Sequence, residues 1–193
     1  MLMGRDDMGS VEGMQSMKKM MPLMLLPYLL GHTASAAVAE ITPVGFGVRS
    51  EVTTSAAPKK VYSALVRDVG KWWNPEHTYS GDSHNLTMAS KVGGCFCEKV
   101  SRHGAVEHAH LIMLMPDSQV RMTGAFGPLQ SSGLVGTLSF KISEAGTGSK
   151  IELSYNVGGY MHGSFQNIAS GVDEVLTDQL NRLKTFAETG KPK

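Results

Sequence analysis

Cysteine and histidine alternate in two segments of the chain, Cys95-x-Cys97 and His108-x-His110. Side chains two residues apart on a β-strand point to the same face of the sheet. If the segments pair with Cys97 opposite His110, all four side chains lie on one face and form a Cys2His2 set for zinc. A register slip of one residue would separate cysteines from histidines, and the spacing differs from the usual zinc motifs. We therefore expect no metal and no other cofactor, with this set as the alternative.

The two cysteines are the only ones in the sequence. Cα atoms two residues apart on a regular strand are about 6.5 to 7 Å from each other. This distance is at the long limit for a disulfide, and the two side chains run parallel instead of converging. We expect no bond between Cys95 and Cys97 unless a β-bulge brings them together.

Glu98 is the candidate acid or base of the sequence. It shares a strand face with Phe96, and if that face lines a cavity, burial in an apolar site would raise the pKa of the carboxyl group. If the face points outward, Glu98 is an ordinary surface residue. His77, Tyr79 and His84 lie in an earlier loop where no carboxylate is spaced to orient a histidine, so we expect solvated side chains there.

Five side chains are candidate walls of a ligand cavity. Trp72 and Trp73 on a short helix point about 100° apart, so we expect one in the core and the other at the cavity mouth. A stacking wall for a flat ligand is the alternative. Tyr155 has an apolar body and a polar tip, which suits a cavity or the core. Phe126 and Gln179 complete the set.

The first 39 residues indicate an export signal. Lys18 and Lys19 precede an apolar stretch at 20–30, and small residues follow, with Ala-x-Ala sequences that end at Ala36 and Ala39. These features are typical of a secretory signal. The apolar stretch is shorter than the roughly 20 residues of a membrane-spanning helix. An uncleaved anchor or a disordered tail is the alternative.

Export would leave residues 40–193 as a single periplasmic or secreted domain, without a stable membrane anchor after cleavage. Because the two lysines directly follow Met17, residues 1–16 could be an extension from a mis-assigned start. The net charge of +1 provides no basic patch for nucleic acid. The sequence does not predict an oligomeric state.

Hydrophobic alternation predicts a β-rich domain with helices at both ends. A strand at 44–54 precedes a helix at 59–66 and a second short helix that carries the tryptophans. From Tyr79 to Val157 the chain is β, with segments bounded by glycine and proline turns. The strands predicted there include 95–100, 106–115, 119–123, 133–142 and 150–157.

A long amphipathic helix is predicted from a Ser164 cap to about residue 188, and Gly190 follows its end. Such a helix buries its apolar side only against an equally long partner, and the sheet is the only candidate. Gln179 interrupts this side, either as a partly exposed flank or as a polar group that orients a ligand. The apolar side contains Phe165, Ile168, Ala169, Val172, Val175, Leu176, Leu180, Leu183, Phe186 and Ala187.

Three segments of the chain resemble the SRPBCC (START-like) superfamily: KWWNPEHT at 71–78, GGCFCE at 93–98 and GAFGPLQ at 124–130. The closest resemblance is to bacterial members related to the Hsp90 ATPase activator domain and to polyketide cyclase-like proteins, and it extends over about residues 44–188. It implies an α+β helix-grip fold (START/Bet v 1-like), in which two short helices and one long C-terminal helix pack on a curved antiparallel sheet.

The resemblance also implies a partner. Members of this superfamily bind lipids, sterols, polyketides or aromatic compounds in the cavity beneath the long helix, and some are enzymes. We therefore expect extracytoplasmic binding of a small hydrophobic or aromatic ligand, and the lack of a recognisable acid–base pair favours binding without catalysis. The alternatives are a cyclase- or hydrolase-like enzyme that uses Glu98 or a histidine, and a protein-interaction module.

Overall fold

This computed structural model describes residues 35–192, with side chains described from Val38 onward. These residues form eight antiparallel strands, three α-helices and three short 3-10 helices at Pro75–His77, Ser83–Asn85 and Gly127–Ser131. The strands are β1 Ser35–Thr42, β2 Gly45–Thr54, β3 Leu86–Met88, β4 Cys95–Lys99, β5 Ala105–Met115, β6 Gln119–Gly124, β7 Gly133–Ala145 and β8 Gly148–Tyr160. The helices are α1 Pro58–Arg67, α2 Val69–Trp72 and α3 Gln166–Thr189.

The strands follow the order β1-β2-β8-β7-β6-β5-β4-β3 across one curved sheet. The predicted first strand, two short helices, five later strands and long helix are confirmed as β2, α1, α2, β4 to β8 and α3. The sequence did not predict β1, an edge strand that pairs with β2 from Ser35 opposite Glu51 to Thr42 opposite Gly45. This strand includes residues 35–39, the end of the predicted export signal. Residues 1–34 of that signal lie outside the described residues.

Helix α3 begins and ends where the sequence places its boundaries, within two residues. The Ser164 hydroxyl oxygen accepts a hydrogen bond from the backbone N–H of Gln166 at 3.1 Å. Gly190 adopts the left-handed conformation with φ 76°, and its N–H donates to the Phe186 carbonyl at 2.8 Å. Among residues 35–192, no helix combines the length and apolarity needed to span a bilayer.

The core lies between α3 and the inner face of the sheet. Leu180 and Leu183 of the helix are fully buried, as are Val48 of β2 and Leu153 of β8. Each large apolar side chain buried in this way contributes about 1.5 to 3 kcal/mol. The packing confirms the predicted apolar side of α3, and it also buries Asp173, which the sequence did not assign to that side.

Candidate ligand-binding cavity

A cavity of about 700 Å³ opens between the N-terminal half of α3 and the sheet. This volume is in the range of small-molecule sites. Its wall is mostly apolar and aromatic, with a few polar side chains at the mouth. The lining residues are Trp73, Glu76, His77, Thr78, Tyr79, Leu86, Phe96, His108, Phe126, Gly127, Pro128, Leu129, Ser132, Tyr155, Met161, Ile168, Gly171, Val172, Val175 and Leu176.

Aromatic rings form a continuous wall on the sheet side of the cavity. The ring of Phe96 lies 5.3 Å from Trp73, edge to face, and 6.1 Å from Phe126. Phe126 in turn meets Tyr155 edge to face at 5.5 Å. His108 lies 5.3 Å from Phe96 and almost parallel to Phe126 at 6.4 Å. Rings held by one another in this way offer a rigid apolar surface to a bound molecule.

A β-bulge turns His108 towards the cavity. Phe96 pairs with Ala109, but Cys97 pairs with Glu107, so that His108 is the extra residue of β5. A bulge breaks the strict alternation of side chains. His108 and Ala109 are therefore both buried, whereas Glu107 is exposed.

Glu98 and His108 form a buried pair in the cavity wall. The imidazole Nε2 lies 2.9 Å from the Glu98 carboxylate oxygen Oε2, and both side chains are at least 94% buried. The same carboxylate accepts the backbone N–H groups of Tyr79 at 3.1 Å and Ser80 at 2.6 Å. Because a carboxylate only accepts, the imidazole Nε2 carries a hydrogen. Within residues 35–192, the Nδ1 atom has no hydrogen-bond partner.

The pKa of Glu98 lies below its ordinary value, which overturns the sequence-based expectation of a raised pKa. Burial is the largest single influence and raises the pKa of this carboxyl group. The hydrogen bonds from Ser80, Tyr79 and His108 favour the ionised form and together outweigh burial. Glu98 is therefore a carboxylate that positions His108 and the loop containing Tyr79.

Tyr155 is held in place at the floor of the cavity. Its ring is fully buried, and its hydroxyl donates to the Gly124 carbonyl at 2.9 Å. Burial raises the pKa of the phenol well above its usual range. Gly136 leaves room for the ring, because a Cβ at that position would lie 2.4 Å from the Tyr155 Cε2 atom.

Three of the five predicted wall residues, Trp73, Phe126 and Tyr155, line the cavity, and two do not. Trp72 is buried in the core and donates its indole N–H to the Ala64 carbonyl at 2.9 Å. Gln179 is fully buried, and its side-chain oxygen accepts the Asn74 N–H at 2.9 Å.

Gln179 is therefore neither the flank nor the ligand-orienting group that the sequence suggested. It holds the segment that follows Trp73, because it satisfies the N–H of the next residue, Asn74. The adjacent tryptophans divide between core and cavity, as the sequence predicts, with Trp73 at the C-cap position just after α2.

The predicted Cys2His2 metal set is wrong in this structure. Cys95 and Cys97 are joined by a disulfide with their Cα atoms 5.4 Å apart, closer than the spacing of about 6.5 to 7 Å in a regular strand. The register of β4 with β5 shifts between Phe96 and Cys97. His108 points inward and His110 outward, so that the two histidines do not share a face. Cys95, not Cys97, lies opposite His110.

Sequence reasoning missed His108 and Tyr79 as cavity residues. Tyr79 is 53% exposed, as the loop prediction implies, yet its hydroxyl donates to the Gly127 carbonyl at 2.9 Å and its ring stacks on His108 at 5.9 Å. His77 also lines the mouth. His84 is solvated, as predicted, and lies outside the cavity lining. Its Nδ1 atom lies 2.9 Å from the Asp82 Oδ1 atom, so a carboxylate does orient this histidine, contrary to the sequence-based expectation. No local sequence feature marks the bulge that turns His108 inward.

Known structures share this architecture. The Aha1 dimer from Colwellia psychrerythraea matches 75% of this chain and 98% of its own, with 18% identity and a TM-score of 0.54. CalU16 from Micromonospora echinospora matches 80% of this chain and 87% of its own, with 12% identity and a TM-score of 0.51. DynU16, a protein in the dynemicin biosynthetic locus, has 16% identity and a TM-score of 0.56 over 76% of this chain and 48% of its own.

No protein-family model and no curated protein sequence matches the chain. At the identities above, the structural similarity shows the fold alone. The chain has the α+β helix-grip fold that the resemblance in its sequence implies.

Proposed function

We propose that this protein binds a small hydrophobic or aromatic molecule in the cavity beneath α3, without chemical conversion. The observation that supports this most strongly is the aromatic wall formed by Trp73, Phe96, Phe126 and Tyr155 around about 700 Å³ of space. Flat or apolar molecules bury their surface well against such a wall.

The polar groups of the cavity suggest a ligand with one polar end. His108 is a polar side chain within the aromatic wall. Its Nε2 atom is bonded to Glu98, so its Nδ1 atom is the ring nitrogen available to a ligand. Glu76, Thr78 and Ser132 lie elsewhere on the lining. A few fixed polar groups in an apolar site orient a ligand. An apolar body with a single hydroxyl or carbonyl near His108 matches this distribution.

A blocked cavity tests the proposal. Gly171 of α3 lines the cavity, and a Cβ there meets no atom within 4 Å, so Gly171→Trp places a large ring at the mouth while Gly171→Ala leaves it open. We expect the neutral fluorescent probe N-phenyl-1-naphthylamine to bind the wild type and Gly171→Ala and to lose at least about tenfold affinity for Gly171→Trp. Equal binding by all three proteins would contradict a site in this cavity.

We also propose that the protein acts outside the cytoplasm. The disulfide between Cys95 and Cys97 supports this, because disulfides persist in oxidising compartments. The basic and apolar residues before position 31 support it from the sequence. Expression of the full chain in a bacterium, followed by fractionation and N-terminal sequencing, tests the location. Cleavage after Ala36 would keep most of β1, whereas an uncleaved cytosolic product would contradict export.

Catalysis is the second candidate, because of the Glu98–His108 pair. A histidine oriented by a carboxylate in an apolar cavity is an arrangement suited to general acid–base chemistry. Once a ligand is identified, His108→Gln separates the two functions. Retained binding with lost turnover would favour an enzyme, and an unchanged ligand recovered from both proteins would favour a carrier.

A further inference from the structure

The outer face of β4 and β5 carries a second cluster of reactive side chains, away from the cavity. Cys95 lies opposite His110 and Cys97 opposite Glu107 in the register of the two strands. Their neighbours Phe96 and Glu98 point inward and are buried, so that the four residues share the outward face. The bulge at His108 is what brings Glu107, not a second histidine, to this face.

Three potential metal ligands converge in this cluster, and a fourth, His110, contacts one of them. The two sulfur atoms and a Glu107 carboxylate oxygen all lie within 4.8 Å of one another. The His110 Nδ1 atom lies 3.0 Å from the Glu107 Oε1 atom. The side chains of His110 and Glu107 are 47% and 54% exposed, so an ion has access from solvent.

We propose that this cluster is a redox-gated site for a divalent metal of the zinc type, formed by Cys95, Cys97, Glu107 and His110 when the disulfide is reduced. Two thiolates, one imidazole and one carboxylate make a four-ligand set of the kinds that Zn²⁺ prefers. In the oxidised protein the two sulfurs are bonded to each other and are not available as thiolates. This inference is independent of the proposed ligand in the cavity.

The reaction that opens the site is thiol–disulfide exchange with an external dithiol reductant. The dithiol attacks one sulfur, the S–S bond breaks as two electrons are transferred, and the reductant leaves as its own disulfide. Its two protons pass to Cys95 and Cys97. Zn²⁺ then displaces both protons as it binds the thiolates.

The two sulfur atoms can thus either form the disulfide or bind the metal, but not both. Because bound Zn²⁺ ties up both thiolates, the metal-loaded protein should resist reoxidation. Metal binding would therefore depend on whether the protein is in an oxidising or a reducing environment. The strand pairing does not have to change for the metal to bind, because the ligands come from two neighbouring strands that are already in register.

Cobalt titration of the full chain tests the site. The protein is reduced with a phosphine, desalted without oxygen and titrated with Co²⁺, whose thiolate charge-transfer absorption reports sulfur ligation. We expect one Co²⁺ per reduced chain, displaced by Zn²⁺, and none on the oxidised chain. His110→Ala and Glu107→Gln should each weaken binding at least about tenfold. His84→Ala, which removes an exposed histidine paired with Asp82 at 2.9 Å, is the matched control and should leave binding unchanged.

Three results would overturn the proposal. Reduced wild type that binds no Co²⁺ excludes the site, and equal binding by the oxidised chain excludes gating. Unchanged affinity in both His110→Ala and Glu107→Gln would mean that the thiols alone hold the ion. Since both variants keep the disulfide and lie on the surface, loss of the fold does not complicate the comparison.

Discussion

Glu98 Oε2 and His108 Nε2 lie 2.9 Å apart although the two residues are not partners in the sheet. Glu98 is paired with Val106, and the bulge brings His108 alongside the carboxylate. A buried charge of this kind is stable only when its hydrogen bonds are complete. The backbone N–H groups of Tyr79 and Ser80 complete them and tie the cavity-mouth loop to β4.

Glu98→Gln is expected to destabilise the protein by about 3 kcal/mol at pH 7, because it removes the charge on which three hydrogen bonds depend. The lowered pKa of Glu98 sets the pH dependence. Its stabilising contribution is complete above the ordinary value of 4.5 and is lost as the pH falls through the lower pKa of the folded state. Urea unfolding between pH 7 and pH 3 measures the difference between wild type and variant, which should shrink in acid.

The control for this experiment is Glu152→Gln on the outer face, where the carboxylate is 41% exposed and paired with Lys150. It should change stability little at any pH. A difference between wild type and Glu98→Gln that stays constant down to pH 3 would show that Glu98 does not carry the linked proton.

Gly136→Ala is expected to displace Tyr155. Its Cβ would lie 2.4 Å from the Tyr155 Cε2 atom, and overpacking of a core usually costs about 1 to 3 kcal/mol. Gly171→Ala is the matched control and should stabilise the protein by about 0.5 to 1 kcal/mol, because the new methyl group meets open space in a helix interior. Denaturant unfolding measures both, and equal stability of Gly136→Ala and wild type would contradict the tight contact.

Asp173→Asn is expected to stabilise the protein by about 1 kcal/mol at pH 7, because Oδ1 of this buried residue has no hydrogen-bond partner among residues 35–192. Burial, followed by the charge of Glu174, raises the pKa of Asp173. The ionised carboxylate therefore opposes folding at neutral pH, and the cost disappears as the pH falls below the raised pKa.

The advantage of Asp173→Asn over wild type should accordingly vanish in acid, which chemical unfolding at pH 7 and pH 3 can measure. Glu174→Gln removes a neighbouring exposed charge from the same helix and should have a much smaller effect. Destabilisation by Asp173→Asn at pH 7 would mean that the carboxylate is satisfied in solution.

Much of the fold follows from periodicity in the sequence. Alternation along β8 and the apolar side of α3 reflect burial on one face, which fixes each element by itself. Strand β1 was missed because an alanine-rich segment also has the composition of a signal cleavage site, and only the pairing with β2 distinguishes the two.

The site was less predictable, because a single bulge determines which side chains of β5 face the cavity. The extra residue in β5 turns His108 inward, places Glu107 opposite Cys97 and brings the Glu107 carboxylate beside the two sulfurs. None of these follows from strict alternation, and no glycine or proline marks the position in the sequence. Gln179 shows the same limit, since its partner Asn74 lies 105 residues away in the chain.

Native mass spectrometry of the purified protein tests ligand binding most directly. Wild type and the variant Trp72→Phe, a change at a core residue outside the cavity lining, are expected to carry a co-purified apolar or aromatic compound, identified after release. Phe126→Ala and Trp73→Ala, which remove parts of the aromatic wall, should lose it. A wild-type protein that stays empty, also after incubation with N-phenyl-1-naphthylamine, would contradict a ligand-binding cavity beneath α3.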